Sequence, residues 1–185
     1  MPSSQPVRQL AKILEQLAND EHYLFSLTGL RAALPDHSDG AFKTLISRAE
    51  KNGLLKRICR SVYLFPRVTV PAGLLLFHVA ALLRAGEFNY ISLETVLSDA
   101  GVISQLPINW ITVMSSGRSN VIPCGEWGTI EFVHTSKLPN ALNEQLEYDA
   151  RCRLWRASVA LAVKDMKSTR RDLDLIDWSV VHESV

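Results

Sequence analysis

Apolar residues in the first third of the chain recur at the three- and four-residue spacing of amphipathic helices. This pattern predicts a helix over Val7–Leu17, a short second helix within Tyr23–Leu34, and a third from Ser38 to Asn52. Ser26 is a suitable N-cap for the second helix, and Ser38 or Asp39 for the third. The third helix is expected to bury Phe42, Leu45, Ile46 and Ala49.

Two short stretches of strand-forming residues follow the third predicted helix. Leu54–Ile58 and Ser61–Phe65 are joined through Cys59-Arg60, which predicts a β-hairpin. Three helices followed by a hairpin are typical of a winged helix-turn-helix, with the hairpin as its wing. We therefore predict such a domain over residues 1–67, with Lys56, Arg57 and Arg60 near the tip of the wing.

Positive charge is concentrated in this predicted helix and hairpin. Ser38–Arg67 contains seven basic and two acidic residues, whereas the 185-residue chain has a formal net charge of only +1. Clustered positive charge attracts the phosphate backbone of nucleic acids, although it carries no sequence information. A solvated helix face would show the same charge pattern, so charge alone leaves both interpretations open.

The polar face of the third helix has the chemistry of a DNA-reading surface. Arg and Lys side chains pair with guanine edges or phosphates, and Ser and Thr hydroxyls contact phosphates or bases. We predict double-stranded DNA as the partner. Two alternatives stay open: a winged helix used only for protein contacts, and hairpin cations that merely protect an exposed strand edge. The predicted DNA-binding residues are Lys43, Thr44, Ser47, Arg48, Lys51, Lys56, Arg57 and Arg60.

A second domain is predicted over residues 72–185, after a linker at Pro66–Pro71. Its pattern predicts helices from Ala72 to Gly86 and from Ser92 to Ala100, and one long helix within Glu147–Lys167. The arginines of that last helix are expected to be solvated or paired with nearby acidic residues, or alternatively to form a second basic surface. Three strands are predicted between these helices, at Trp110–Met114, Asn120–Pro123 and Thr129–His134. The expected fold class is α+β, with a mixed α/β second domain built on a small antiparallel sheet.

Specific sequence motifs lie between Tyr90 and Thr135. They read Y-x-S-L-E-x-x-L-S from Tyr90, G-V-I-S-Q-x-P from Gly101, T-V-M-x-x-G-R from Thr112 and G-T-I-E-F-x-H-T from Gly128. With R-R-x-L-D-L-I-D-W from Arg170, they resemble the AbiEi family of abortive-infection antitoxins. The segment between Ala141 and Lys167 departs from the family's pattern.

The resemblance implies an antitoxin of a type IV toxin-antitoxin system. Such a protein binds repeats in its own promoter through an N-terminal winged helix and represses its operon. Its C-terminal domain opposes a nucleotidyltransferase-like toxin, and this antagonism need not involve a stable complex. The alternative is a winged-helix transcriptional regulator whose second domain senses a ligand or a protein and has no toxin partner.

Other function classes find little support in the sequence. Glu131 and His134 are three residues apart, so on one strand they would point to opposite faces and would not share a metal. The chain has no G-x-S-x-G or H-E-x-x-H motif, and its three cysteines form no C-x-x-C pair. We therefore expect no catalytic activity, no cofactor and no metal. Without a signal-peptide core or a membrane-spanning run, a cytoplasmic location is expected. The four tryptophans are expected to serve core and interface packing.

Overall fold

The computed structural model describes residues 5–104 and 109–183. Both helices and β-sheets are present, which confirms the predicted α+β class. The chain divides into two compact units between Leu75 and Leu76. This boundary lies a few residues after the linker that was predicted at Pro66–Pro71. Within the described ranges, no helix is both long and apolar enough to cross a membrane.

The first unit contains three helices and a three-stranded antiparallel sheet. The elements are α1 (Gln5–Leu17), β1 (Leu24–Ser26), α2 (Leu27–Ala33), α3 (Asp39–Lys51), β2 (Lys56–Cys59) and β3 (Val62–Leu64). The strand order is β1-β3-β2, in which Phe25 of β1 lies opposite Tyr63 of β3 and Tyr63 lies opposite Arg57 of β2.

Serine caps fix the starts of α2 and α3. Ser26 Oγ accepts a hydrogen bond of 2.9 Å from the backbone N–H of Gly29, and Ser38 Oγ accepts one of 3.3 Å from Ala41. Both predicted N-caps are confirmed. The second helix starts directly after Ser26, as predicted, but the sequence did not predict that residues 24–26 form β1 and pair with β3. A strand of only three residues, of which two are apolar, has no recognisable pattern of its own, and its hydrogen-bond partners lie nearly forty residues later in the chain.

The second unit is built on a six-stranded sheet. Its strands are β4 (Asn89–Ile91), β5 (Trp110–Ser115), β6 (Asn120–Pro123), β7 (Thr129–His134), β8 (Leu146–Asp149) and β9 (Leu154–Ala157); its helices are α4 (Leu75–Leu83), α5 (Leu93–Asp99), α6 (Val159–Ser168) and α7 (Trp178–Glu183). The strand order is β6-β7-β5-β4-β9-β8. Two neighbouring pairs, β5 with β7 and β4 with β9, run parallel, and the other pairs run antiparallel.

The three strands predicted for the second domain are all present, but the small antiparallel sheet is wrong. β6 is the edge strand and pairs antiparallel with β7. β7 lies between β6 and β5, and it pairs parallel with β5. Three further strands, β4, β8 and β9, extend the sheet on its other side.

The long helix predicted within Glu147–Lys167 is also wrong. Most of β8, the turn after it and β9 occupy its first half, and only α6 is helical. Tyr148 and Trp155 lie directly opposite each other on the two strands. Their seven-residue separation fits two helical turns as well as it fits this hairpin, and the turn contains no Gly or Pro to mark it.

Candidate nucleic-acid interface

Five of the eight predicted DNA-binding residues lie on one exposed face of α3. At 100° per residue, they occupy an arc of about 140° around the helix axis. Each is solvent-exposed. The set, called here the α3 face, consists of Lys43, Thr44, Ser47, Arg48 and Lys51.

The opposite side of α3 is buried in the core of the first unit. Phe42, Leu45, Ile46 and Ala49 are each at most 4% exposed, as predicted, and belong to a cluster that includes Leu10 of α1. Burying these side chains contributes on the order of 1.5–3 kcal/mol for each large one. The helix is therefore held by its apolar side while its polar side stays open.

The cations of the α3 face have no carboxylate close to them. Within the described part of the chain, Lys43, Arg48 and Lys51 form no ion pair at 4.0 Å or less. Thr44 is partly engaged, because its Oγ1 donates a 2.9 Å hydrogen bond to the carbonyl of Gly40. Its methyl group and its acceptor lone pairs remain for an external contact.

The β2–β3 hairpin supplies the other three predicted residues, all with exposed side chains. Arg60 lies in the turn next to Ser61, which has a positive φ of 67°. Arg57 is within β2, and its Nε donates a 3.4 Å hydrogen bond to the carbonyl of Cys59. Lys56 does not lie near the tip as predicted: it pairs with Leu64 at the end of the hairpin away from the turn.

Arg31 is a positioning residue that the sequence did not single out. Its Nη1 donates to the carbonyl of Leu34 at 2.8 Å, and its Nη2 lies 3.4 Å from the carboxylate of Asp39. Its guanidinium also lies 5.4 Å from the centre of the Phe42 ring. These contacts tie the end of α2 to the start of α3, so Arg31 helps to set the angle between the two helices.

The candidate catalytic groups of the second unit have structural partners. Glu131 accepts hydrogen bonds from Arg171 at 2.5 Å and from the indole of Trp110 at 3.3 Å. His134 Nδ1 lies 2.9 Å from the carbonyl of Gly117. Among the residues described, no three His, Cys, Asp or Glu side chains are grouped closely enough to hold a metal. Burial, followed by the nearby Asp149 carboxylate, raises the pKa of Cys152 to about 11, which disfavours a reactive thiolate.

Several residues of the Tyr90–Thr135 motifs form buried hydrogen bonds. Ser92 Oγ donates to the fully buried carboxylate of Asp165 at 2.7 Å, and Lys137 Nζ contacts the other carboxylate oxygen at 2.5 Å. Thr112 Oγ1 donates to the carbonyl of Ser92 and accepts from the backbone N–H of Thr95. These motif residues hold β4, β5, α5 and α6 together.

Comparison with known proteins adds no family assignment. No model of a known protein family matches the chain, and no curated protein matches it either. The AbiEi resemblance therefore stays a prediction that depends on the motifs themselves. One part of those motifs, Gln105 to Pro107, lies outside the described residues.

Proposed function

We propose that the first unit is a winged helix-turn-helix that binds double-stranded DNA. In this proposal α3 is the recognition helix, α2 supports it and the β2–β3 hairpin is the wing. The observation that carries the proposal is the α3 face. It presents three exposed cations without ion-pair partners in the described chain, on a helix that is anchored by its opposite side.

The two groups of cations have different proposed tasks. Arg48 is the one arginine of the α3 face, and its guanidinium is suited to a bidentate contact with a guanine edge. Arg57 and Arg60 on the hairpin are suited to phosphate contacts, which fix the protein on the duplex without reading its sequence. Each phosphate contact of this kind steepens the salt dependence of binding by about 0.9 in log–log slope.

We further propose that the protein is an AbiEi-like antitoxin that represses its own promoter in the cytoplasm and opposes a nucleotidyltransferase-like toxin. The motifs from Tyr90 to Thr135 support this assignment, and a DNA-binding first unit fits it. The second unit would then carry the antagonism. A stable complex with the toxin is not required.

The alternative function is a transcriptional regulator whose second unit senses a ligand. A groove in that unit favours it, because Phe88 and Trp155 line a cavity of about 440 Å³. Ligand sensing and toxin antagonism both predict DNA binding by the first unit. The two functions differ in whether a ligand of the second unit controls that DNA binding.

A gel-shift titration on the DNA upstream of the protein's own gene tests the DNA-binding proposal. The test variant replaces Lys43, Arg48 and Lys51 with Ala, and the matched control is Lys12→Ala on the exposed side of α1. We expect specific binding by the wild type and the control, and its loss in the triple variant. Wild-type binding that does not prefer this DNA over a scrambled duplex would contradict the proposal.

Co-expression with the adjacent open reading frame tests the antitoxin assignment separately. We expect the neighbouring gene to arrest growth alone, and growth to recover when the full chain is supplied. The triple variant should still restore growth if the second unit carries the antagonism. A neighbouring product without toxicity, or toxicity unchanged by the chain, would refute the antitoxin role and leave the DNA-binding result standing.

A further inference from the structure

An open groove with aromatic walls crosses one end of the sheet in the second unit. It consists of two adjoining depressions that share Phe88 and Trp155. The larger depression, of about 440 Å³, is completed by Pro139, Asn143 and Leu146. The smaller, of about 180 Å³, contains charged and amide groups. The groove therefore has an apolar end and a polar end.

Two of its aromatic side chains are exposed although they lie within strands. Tyr148 is 52% exposed and Trp155 is 43% exposed, so Trp155 is not part of the core of this unit. They are cross-strand partners on β8 and β9, with ring centres 5.4 Å apart in an edge-on arrangement. A cross-strand pair keeps its geometry without a ligand, so the stacking surface is already formed.

The polar end offers groups that suit a phosphate and a hydrogen-bonding base. Arg84 and Arg153 line it together with a single carboxylate, Glu87, which leaves a formal charge of +1. Arg84 is held by Glu87 and by Ser115 Oγ at 2.9 Å. Its other guanidinium nitrogen donates to the carbonyl of Arg118, so Arg84 shapes the wall of the depression, and Arg153 is the cation suited to a phosphate.

Asn89 gives a second, independent indication of a ligand at this end. It is only 6% exposed and lines the smaller depression. Its amide N–H groups donate to the carbonyls of Arg84 and Glu87 at 2.7 and 2.8 Å. Its Oδ1 accepts no hydrogen bond from any described residue, although buried polar atoms are normally paired.

A second copy of the chain is a poorer occupant. β8 is an edge strand, and antiparallel pairing of two copies centred on Tyr148 would place Glu147 of one opposite Asp149 of the other. Like charges directly opposite each other destabilise strand pairs. The acidic edge therefore opposes self-association, while the aromatic and basic groove beside it attracts a different chemistry.

We propose that this groove binds a nucleotide, with its base stacked on Trp155, Tyr148 edge-on beside it, and its phosphate toward Arg153. Exposed aromatic side chains beside arginines are the usual platform for unpaired bases. The nucleotide is either free or part of a single strand, because both present the same base and phosphate. The site goes beyond the proposed duplex binding and does not depend on it, since no residue of the first unit lines the groove.

Equilibrium dialysis of the full chain tests the site with four probes: ATP, CTP, a ten-nucleotide single-stranded RNA and a single-stranded DNA of the same sequence. Trp155→Ala is the test variant. Trp178→Ala is the matched control, because Trp178 is 41% exposed in the same unit and does not line the groove. Loss of one base-stacking contact predicts binding about 5- to 150-fold weaker for Trp155→Ala and unchanged for Trp178→Ala.

Two further variants keep the result interpretable. Trp155→Phe preserves an aromatic face and should retain most of the binding, which separates stacking from misfolding. Arg153→Ala should weaken binding and reduce its salt dependence. Binding of ATP or CTP alone would identify a free nucleotide, and binding of the oligonucleotides alone would identify a strand. Either result supports the site.

Three outcomes would overturn the proposal. The first is that none of the four probes binds the wild type. The second is that Trp155→Ala and Trp178→Ala bind equally well. The third is a wild-type dimer, detected by analytical ultracentrifugation, that Trp155→Ala abolishes, because the patch would then be a self-interface. Gel shifts on the upstream duplex should be the same for Trp155→Ala and the wild type, so this test and the DNA-binding test can fail independently.

Discussion

The two units surround their arginine side chains very differently. In the first unit, Arg48 and Arg60 are exposed and have no ion-pair partner among the described residues. In the second unit, Arg84, Arg156 and Arg171 are only 11–27% exposed, and each contacts one or two carboxylates. The chain's net charge of +1 conceals this division.

The difference separates two uses of the same side chain. A buried guanidinium must be paired, because desolvation of an isolated charge is costly. Arg171 meets this requirement with Glu94 at 2.9 Å and Glu131 at 2.5 Å, so that α5, β7 and the segment after α6 are joined. An exposed cation needs no partner for stability and is therefore available to a ligand. Substitution of the paired arginines Arg84, Arg156 and Arg171 should accordingly affect folding of the second unit, and substitution of Arg48 and Arg60 should affect binding by the first.

Replacement of Arg171 by Ala should produce the largest effect. It would leave the carboxylates of Glu94 and Glu131, which are 13% and 19% exposed, without their shared cation. Breaking a buried pair in this way typically costs about 3–5 kcal/mol. Urea unfolding followed by tryptophan fluorescence measures it, because all four tryptophans lie in the second unit.

The control for this experiment is Arg171→Lys, which keeps the charge but cannot contact both carboxylates with the same geometry. Its free energy of unfolding should fall between those of the wild type and Arg171→Ala. If the free energy of unfolding of Arg171→Ala lies within about 0.5 kcal/mol of the wild-type value, the contrast between the two units is wrong.

Replacement of Arg48 by Ala should have the opposite effect: DNA binding should weaken and stability should hardly change. Its guanidinium is exposed, so the stability of the first unit should change by no more than about 0.5 kcal/mol. Binding to the upstream duplex should weaken by about 1–3 kcal/mol if Arg48 reads a base edge. Competition gel shifts against a scrambled duplex measure that loss.

Arg60→Ala is the matched comparison on the hairpin. It should weaken binding to every duplex alike and flatten the log–log salt slope by about one unit. Equal losses on specific and scrambled DNA for both variants would mean that Arg48, too, contacts only phosphate.

The α3 face could be predicted from the sequence because the helical periodicity of the apolar residues alone defines it. Phe42, Leu45, Ile46 and Ala49 repeat at helical spacing, and the intervening polar positions are therefore on the other side. The capping serine at Ser38 has a local signal as well. Features of this kind depend only on neighbours a few residues away.

The groove could not be found in the same way, because strands far apart in sequence create it. Trp155 meets Tyr148 only across the β8–β9 hairpin, and Phe88 reaches it only through the pairing of β4 with β9. The turn between β8 and β9 contains Arg153 with a positive φ of 59°, a conformation usually signalled by Gly or Asn. Without that signal, the hydrophobic spacing favoured a helix.

Acid should destabilise the second unit through His78, a further test of its dependence on buried polar groups. Burial lowers the pKa of His78 below its ordinary 6.5, with Arg153 acting in the same direction, although the 2.6 Å contact to the carbonyl of Arg151 opposes them. The unfolded chain therefore binds the proton more tightly. Stability is fully present above pH 6.5 and is lost as the pH falls toward the lower folded pKa, with a slope of at most about 1.4 kcal/mol per pH unit.

Urea unfolding at pH 7.5 and 5.5 measures this dependence for the wild type and for His78→Gln. Glutamine can still donate a hydrogen bond but does not titrate. The wild type should lose more stability than the variant over this range. Equal losses would assign the acid sensitivity to other groups.

The smallest change in stability is expected for Arg67→Ala. This variant tests whether an ion pair is enough, without burial, to make an arginine important for folding. Arg67 contacts Glu15 at 2.6 Å, yet both side chains are at least half exposed. Exposed pairs of this kind contribute about 0–1 kcal/mol, because water screens the charges and the side chains lose freedom on pairing. Thermal unfolding of the first unit, followed by circular dichroism, should therefore change little. If Arg67→Ala destabilises that unit as strongly as Arg171→Ala destabilises the other, the presence of a carboxylate partner, and not burial, would distinguish structural arginines from binding ones.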